Sequence, residues 1–249
     1  MWSEYPSATR ASPRNGRGGR PAPAFHRLLG AVHDGDRARA HRALGGWLQA
    51  TYLPKKAMFS RRWEDARLYI FERGLIVTGP EGFQAAYDWA SARVLQSITF
   101  VNQAVADARY TLIDRSGAAV SIGRGNDLLM PGQRERAGIR SHVKGAPFIH
   151  EGTWGPHIQQ SIAQAQIQGA ADALERGETL GFGPVGLSST GVSDRKRSVD
   201  WGDLGEVHVA NGMVGFPDGH RHRPALPSVS VHEIVNLNLF LALCHAFER

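Results

Sequence analysis

The chain has 249 residues, a formal net charge of +6 and one cysteine. That length admits one large domain or two small ones, and the single Cys244 rules out an internal disulfide and fits a reducing compartment, so a cytoplasmic protein is expected. Residues 1–67 hold 13 Lys/Arg against 5 Asp/Glu while the rest is nearly balanced, which excludes the uniformly basic body of a typical nucleic-acid binder.

Residues 1–24 are rich in Arg, Gly, Pro and Ser and read as a disordered basic arm. Arg10, Arg14, Arg17 and Arg20 are spaced like an anion-binding tail, although a solvated linker is the plainer account. No apolar h-region of a signal peptide is present in it. Over 25–46, Leu28, Leu29, Val32 and Leu44 suggest a weak helix or linker, opposed by Gly30, Gly35 and the Gly45–Gly46 pair.

From Trp47 the pattern turns to strands. WLQATYLP ends at Pro54, and Lys55, Lys56, Arg61 and Arg62 surround Met58 and Phe59. RLYIFERG alternates, Gly74 restarts the chain into LIVTG, GPEG at 79–82 is a turn, and FQAAYDW returns antiparallel. ARVLQSITFV is another β-rich run, and RYTLIDRSGAAVSIG is a hairpin turning at 114–117. Turn signals about every 8–12 residues indicate a small antiparallel barrel or sandwich. Residues 124–156 are Gly-rich and without period, and read as an insertion.

A helix is expected over 157–176, stopped by Gly177. Its apolar residues form two stripes, Ile158, Ile162, Ala165 and Gly169 on one side and Ala163, Ile167, Ala170 and Leu174 on the other. A surface helix on one core would show one stripe, so this helix is expected between two bodies. Short strands with Gly-rich turns follow, among them EVHVANGMVGF, where Asn211–Gly212 signals a type I′ turn. PALPSVSV is a last strand, and Asn236 stands where it can cap a final helix over 237–248. The apolar run at its heart, Leu237–Phe247, is too short to span a bilayer. It contains Cys244, which reads as a buried thiol.

One segment occurs twice. GLIVTGPEGFQAAYDW, from Gly74 to Trp89, and GLSSTGVSDRKRSVDW, from Gly186 to Trp201, share an opening Gly-Leu, an internal Thr-Gly and a closing Asp-Trp. The offset is what a duplicated structural unit leaves. Gly74, Asp88, Trp89, Gly186, Asp200 and Trp201 are therefore taken as repeat anchors.

Motifs of chemistry are weak. GFGPVG at 181–186 has the letters of a dinucleotide loop, but a strand pattern follows it where a helix is required. His150, Glu151 and His157 do not have the i, i+4 spacing of a zinc helix. Arg195, Lys196 and Arg197 lie in a hairpin and His220, Arg221, His222 and Arg223 in another short basic cluster. Arginine forks suit phosphate oxygens, so these seven are the candidate anion-binding residues, with solvated hairpin tips as the plainer reading.

LYIFERGLIV, AAYDW, RYTLIDRSG, TWGPHIQQSIAQAQ, ALERGETLGFGPVGLSSTGVS, VDWGDLGEVHVANG and the closing NLNLFLALC together resemble an uncharacterised bacterial family of unknown function, common in high-GC actinobacteria. The bias of 25 arginines to 4 lysines is in keeping with such a genome. The resemblance covers about 47–249. It implies a mainly β fold of two pleckstrin-homology-like (PH-like) antiparallel barrels in tandem, each closed by a C-terminal helix. The first would occupy 47–176, with the insertion 124–156 and closing helix 157–176, and the second 177–249. It supplies no catalytic residues and no cofactor. The expected function is a non-enzymatic binding or scaffold module with a protein partner. Attachment of the basic arm to an anionic membrane or nucleic acid, and a hydrolase built on the 124–157 stretch, are the alternatives.

Overall fold

The computed structural model describes residues 44, 46–55, 62–102, 104–125 and 129–247, all within the compact unit Asp34–Arg249. The basic arm expected over 1–24, almost all of the weak helix expected over 25–46, and most of the basic patch around Met58 lie outside these residues. The described chain is mainly β, with four sheets and few helices.

The first sheet is the meander β1 (Leu48–Tyr52), β2 (Leu68–Phe71), β3 (Gly74–Thr78) and β4 (Gln84–Asp88). The second holds β5 (Arg93–Val101), β6 (Ala104–Ile113) and β7 (Ala118–Gly123) in antiparallel order. These are the strands of the β-rich runs read between Trp47 and Gly123, where roughly six or seven are expected. The described residues of the stretch read as a period-less insertion, 124–125 and 129–156, include a helix and a strand. Helix α1 (Pro131–Arg136) crosses over and β8 (Ser141–Lys144) joins β7 in parallel. Beyond β8 the chain bonds to the continuation of β1, with Lys55 N–H donating to the Pro147 carbonyl and Ile149 N–H to the Leu53 carbonyl.

Helix α2 (Glu151–Glu175) follows, starting six positions ahead of the expected His157. Gly152, Gly155 and Pro156 argue locally against a helix. Gly155 is nevertheless required there, because a Cβ would lie 2.3 Å from the Tyr110 ring. Trp154 stands edge-on to that ring at 5.2 Å.

The third sheet is a meander of short strands, β9 (Leu180–Gly181), β10 (Gly186–Leu187), β11 (Gly191–Ser193) and β12 (Ser198–Asp200). The fourth is β13 (His208–Ala210), β14 (Met213–Pro217) and β15 (Pro224–Ser230). Asn211 and Gly212 both have positive φ, 51° and 73°, as the type I′ turn between β13 and β14 demands. Helix α3 (Leu237–Phe247) ends the described chain.

Two cores result. Leu68, Ile70, Leu75, Val94, Leu112 and Ile122 from the first two sheets pack with Trp154, Ile158 and Ile162 of α2. Leu187, Val192, Val214 and Phe216 pack with Phe240 and Leu243 of α3 and with Ala163 and Leu174 of α2. The helix thus passes from one core to the other at Ile162–Ala163. The second stripe lies where the pattern puts it. The first does not run the full length, since Ala165 and Gly169 are exposed.

None of the four sheets closes into a barrel, contrary to the expected pair of closed barrels. One reason is visible at β5. Its outer edge is taken by Asn236 rather than by β4. Val94 N–H donates to Asn236 Oδ1 at 2.7 Å, and Asn236 N–H donates back to the Val94 carbonyl at 2.8 Å. Asn236 Nδ2 also reaches Gln166 Oε1 of α2, whose amide donates to the carbonyls of Trp89 and Ala92. The side chain expected to cap α3 therefore ties the end of the fourth sheet's connection to the second sheet.

The Asp-Trp anchors stand in matching geometry. Gly74 pairs with Asp88 in the β3–β4 hairpin, and Gly191 pairs with Asp200 in the β11–β12 hairpin. Trp89 N–H donates to the Arg73 carbonyl and Trp201 N–H to that of Thr190, each just ahead of the glycine. Trp89 Nε1 donates to the Phe71 carbonyl and Trp201 Nε1 to the Ser188 carbonyl, each three positions ahead of it. A Cβ on Gly74 would fall 2.2 Å from the Tyr87 carbonyl oxygen, and one on Gly191 2.0 Å from that of Val199. The residue in the place of Gly74 is thus Gly191. Gly186 opens β10, one strand earlier.

Asn236→Ala leaves the buried Val94 N–H without its acceptor and is expected to cost about 1–3 kcal/mol, read as a lower midpoint in urea unfolding. Gly191→Ala, which must displace backbone, is expected to lower stability by about 2 kcal/mol or more, while Gly181→Ala, with open space around it, leaves the midpoint within about 0.5 kcal/mol of the parent.

Candidate functional site

The residues singled out from sequence form turns. Asp194 Oδ1 accepts the N–H groups of Lys196 and Arg197 at 2.6 and 2.9 Å and folds the β11–β12 tip. The hydrogen bond from Lys196 is the main cause holding the Asp194 carboxyl below its usual pKa, with burial opposing and the Arg197 and Lys196 charges adding. Arg195, Lys196 and Arg197 point outward from this tip and are exposed. The β14–β15 turn is built alike, with Asp218 Oδ1 accepting from His220 N–H at 2.9 Å. His220, Arg221, His222 and Arg223 are exposed on it. His220 Nε2 lies 3.2 Å from the Gly202 carbonyl and 3.6 Å from Asp203, and Arg223 lies 3.8 Å from Asp218. The two basic tips belong to different sheets, the third and the fourth.

GFGPVG is a tight hairpin between β9 and β10, closed by Phe182 N–H donating to the Val185 carbonyl at 2.7 Å, with both side chains in the second core. His150 precedes α2 in a left-handed conformation, Glu151 pairs with Arg124, and His157 meets the edge of Trp89 at 6.4 Å. Among the described residues no group of three His, Cys, Asp or Glu is placed to hold a metal ion, and no helix is long and apolar enough to cross a membrane. Cys244 is buried in the second core.

Two features carry chemistry that sequence reading missed. The first is a polar cleft of about 190 Å³ on the face of the second sheet turned away from the main core. Ser97, Thr99, Asp107, Arg109 and Thr111 come from β5 and β6, Gln133 from α1 and His232 from the connection after β15. His232 Nδ1 lies 3.0 Å from Ser97 Oγ, Gln133 donates to the His232 carbonyl at 2.6 Å, and Arg136 pairs with Glu233. Behind Thr111, its hydroxyl meets Ser121 Oγ at 2.7 Å, and Ser121 Oγ meets His142 Nε2 at 2.7 Å. Burial pushes the His232 imidazole below its usual pKa, with Glu233 offsetting part of the effect. The cleft lies below the usual size of a cofactor pocket, and its Ser97 and Gln133 serve to dock the 231–236 connection.

A family model for a family of unknown function (DUF6585) matches residues 145–248. The chain is similar to that uncharacterised family from just before α2 through α3, a shorter span than the 47–249 read from the motifs. No curated protein and no solved structure matches.

The second feature is a two-stranded ribbon. β7 pairs with β6 only over Arg109–Ile113, so the β5–β6 hairpin runs on past the sheet. Phe100 is 58%, Val101 55% and Val105 39% exposed on it. No charged residue occurs from Val94 to Ala106. Natural sheets usually guard such free edges with charge. The only signal in the sequence was that unbroken neutral run.

The lowered His232 pKa gives a sign. Its neutral form is the one the fold favours, so its contribution is whole above about pH 6.5 and is lost as pH falls through the lowered value. Unfolding midpoints are expected to drop as pH falls below about 6.5, and His232→Gln is expected to flatten that part of the profile.

Proposed function

We propose that the chain is a non-catalytic binding module for a protein partner, built from two PH-like units in tandem. Each unit comprises a four-stranded meander, a three-stranded meander and a helix, β1–β7 with α2 and β9–β15 with α3. The shared Gly–Asp–Trp corner supports a common origin for the two. In the first unit the crossover through α1 to β8 is an addition to that plan.

The observation that carries the binding reading is the β5–β6 ribbon. Exposed apolar side chains on a protruding, uncharged hairpin lose contact with water when a partner covers them. A strand edge also offers backbone donors and acceptors to an extended segment of another chain; on β6 the Val105 and Ala108 carbonyls already accept from Arg124, which leaves the β5 side of the ribbon for such pairing. A loop tip evolved for solubility alone would carry charge.

Phe100→Asp with Val101→Asp, both at exposed positions, tests this reading. In affinity capture from native cells with quantitative mass spectrometry, the proteins enriched by the parent are expected to fall about tenfold with the double variant, at an unchanged urea midpoint. Equal enrichment by parent and variant would refute it.

A further inference from the structure

A cationic cleft lies at the other end of the second sheet. Arg93 opens β5 and Val101 ends it, so the cleft stands about 25 Å from the ribbon tip along the strand. The β6–β7 turn, Asp114–Gly117, meets the Gly138–Arg140 loop after α1, and together they border a cleft of about 410 Å³. Arg140 N–H and Ser141 N–H donate to the Gly117 carbonyl at 2.8 and 3.3 Å. A Cβ on Gly117 would fall 2.5 Å from the Gly138 carbonyl oxygen, and both glycines have positive φ, 87° and 64°. Turn and loop are thus held against each other by close backbone contact, with the Arg93 side chain bridging them.

Three arginines line the cleft from three elements: Arg93 from β5, Arg115 from the turn and Arg140 from the loop. Arg93 is half-buried, its Nη1 donating to the Ala137 carbonyl at 2.8 Å and its Nη2 to the Asp114 carbonyl at 3.3 Å. That fixes the head and engages two of the five N–H donors a guanidinium carries. Arg115 and Arg140 are exposed, and neither guanidinium is bound to any described residue. Glu135 is the one carboxylate among the described lining residues.

We propose that this cleft binds a phosphoryl group, borne by a free phosphorylated metabolite or by an exposed lipid headgroup. One guanidinium fork satisfies a carboxylate, whereas three forks from three directions match the several oxygens and the double charge of a phosphoryl group. Burial of Arg93 strengthens its attraction for an anion by removing competing water. The cationic set is local. Beyond residue 67 the chain holds 16 Lys/Arg and 18 Asp/Glu, so this part of the chain lacks the net positive charge that favours a nucleic-acid backbone. The site goes beyond the ribbon-based reading of function and stands or falls separately from it.

Two arms test it on the full chain: calorimetric titration with inorganic pyrophosphate, and co-sedimentation with phosphatidylcholine vesicles with and without phosphatidic acid. Binding is expected in the first arm, and in the second as well if the source is a lipid. Arg115→Ala and Arg140→Ala are each expected to weaken it about tenfold. Glu135→Gln is expected to strengthen it, and Arg176→Ala, at an exposed position paired with Glu178, to leave it unchanged. Absence of binding in both arms, binding that survives loss of Arg115 and Arg140, or an equal loss with Arg176→Ala would overturn the proposal.

Discussion

Helix α2 spends its first half in one hydrophobic core and its second half in another, and the two halves of the fold hang on that change of partner. At the crossing, Ile162 belongs to the first core and Ala163 to the second. A helix with a single wide stripe has one place to lie. A helix whose burial switches along its length has its rotation and its axial position both specified, because a slip of one residue would withdraw Ile158 and Ile162 from the first core or Leu174 from the second. Gln166 sits at this handover and spends its amide on the carbonyls of Trp89 and Ala92, while its oxygen accepts from Asn236. A polar network and an apolar switch thus coincide, and the hydrogen bonds supply the direction that burial lacks.

The Gly–Asp–Trp corner solves one problem twice. A tryptophan just after a strand must turn its ring inward and satisfy its indole N–H, since an unpaired buried donor is costly. In both hairpins the donor goes to a carbonyl three positions before a glycine, and that glycine clears the backbone of the strand opposite. The span from glycine to tryptophan is shorter in the second copy, so a fixed spacing between copies holds at Asp-Trp and breaks at the glycine. The surroundings also differ in kind. Trp89 is buried beside His157, while Trp201 stacks on Phe247 at 5.9 Å.

What could be read from the sequence was whatever is local. Strands β1 to β7 announce themselves by alternation, the β13–β14 turn by Asn211–Gly212, and the end of α2 by Gly177, whose φ is 85°. The start of α2 was hidden because Gly152, Gly155 and Pro156 weaken the local helix signal, and Gly155 answers a tertiary demand, the close approach of the Tyr110 ring. Strand β8 was hidden because SHVK carries no period of its own and is ordered by β7. The candidate sites were the least legible. Basic tips at 195–197 and 220–223 are conspicuous as runs of letters, yet each is shaped by an aspartate at its base. The cleft of Arg93, Arg115 and Arg140 gathers single residues from three elements, and no window of sequence contains them together.

The bond between Val94 and Asn236 spans 142 positions. During synthesis the second sheet is complete on the ribosome long before its edge receives that acceptor. Contacts so distant in sequence are slow to form, and an unpaired edge waiting for them is open to wrong partners. The first half of the described fold therefore depends for its finish on residues that emerge long after it.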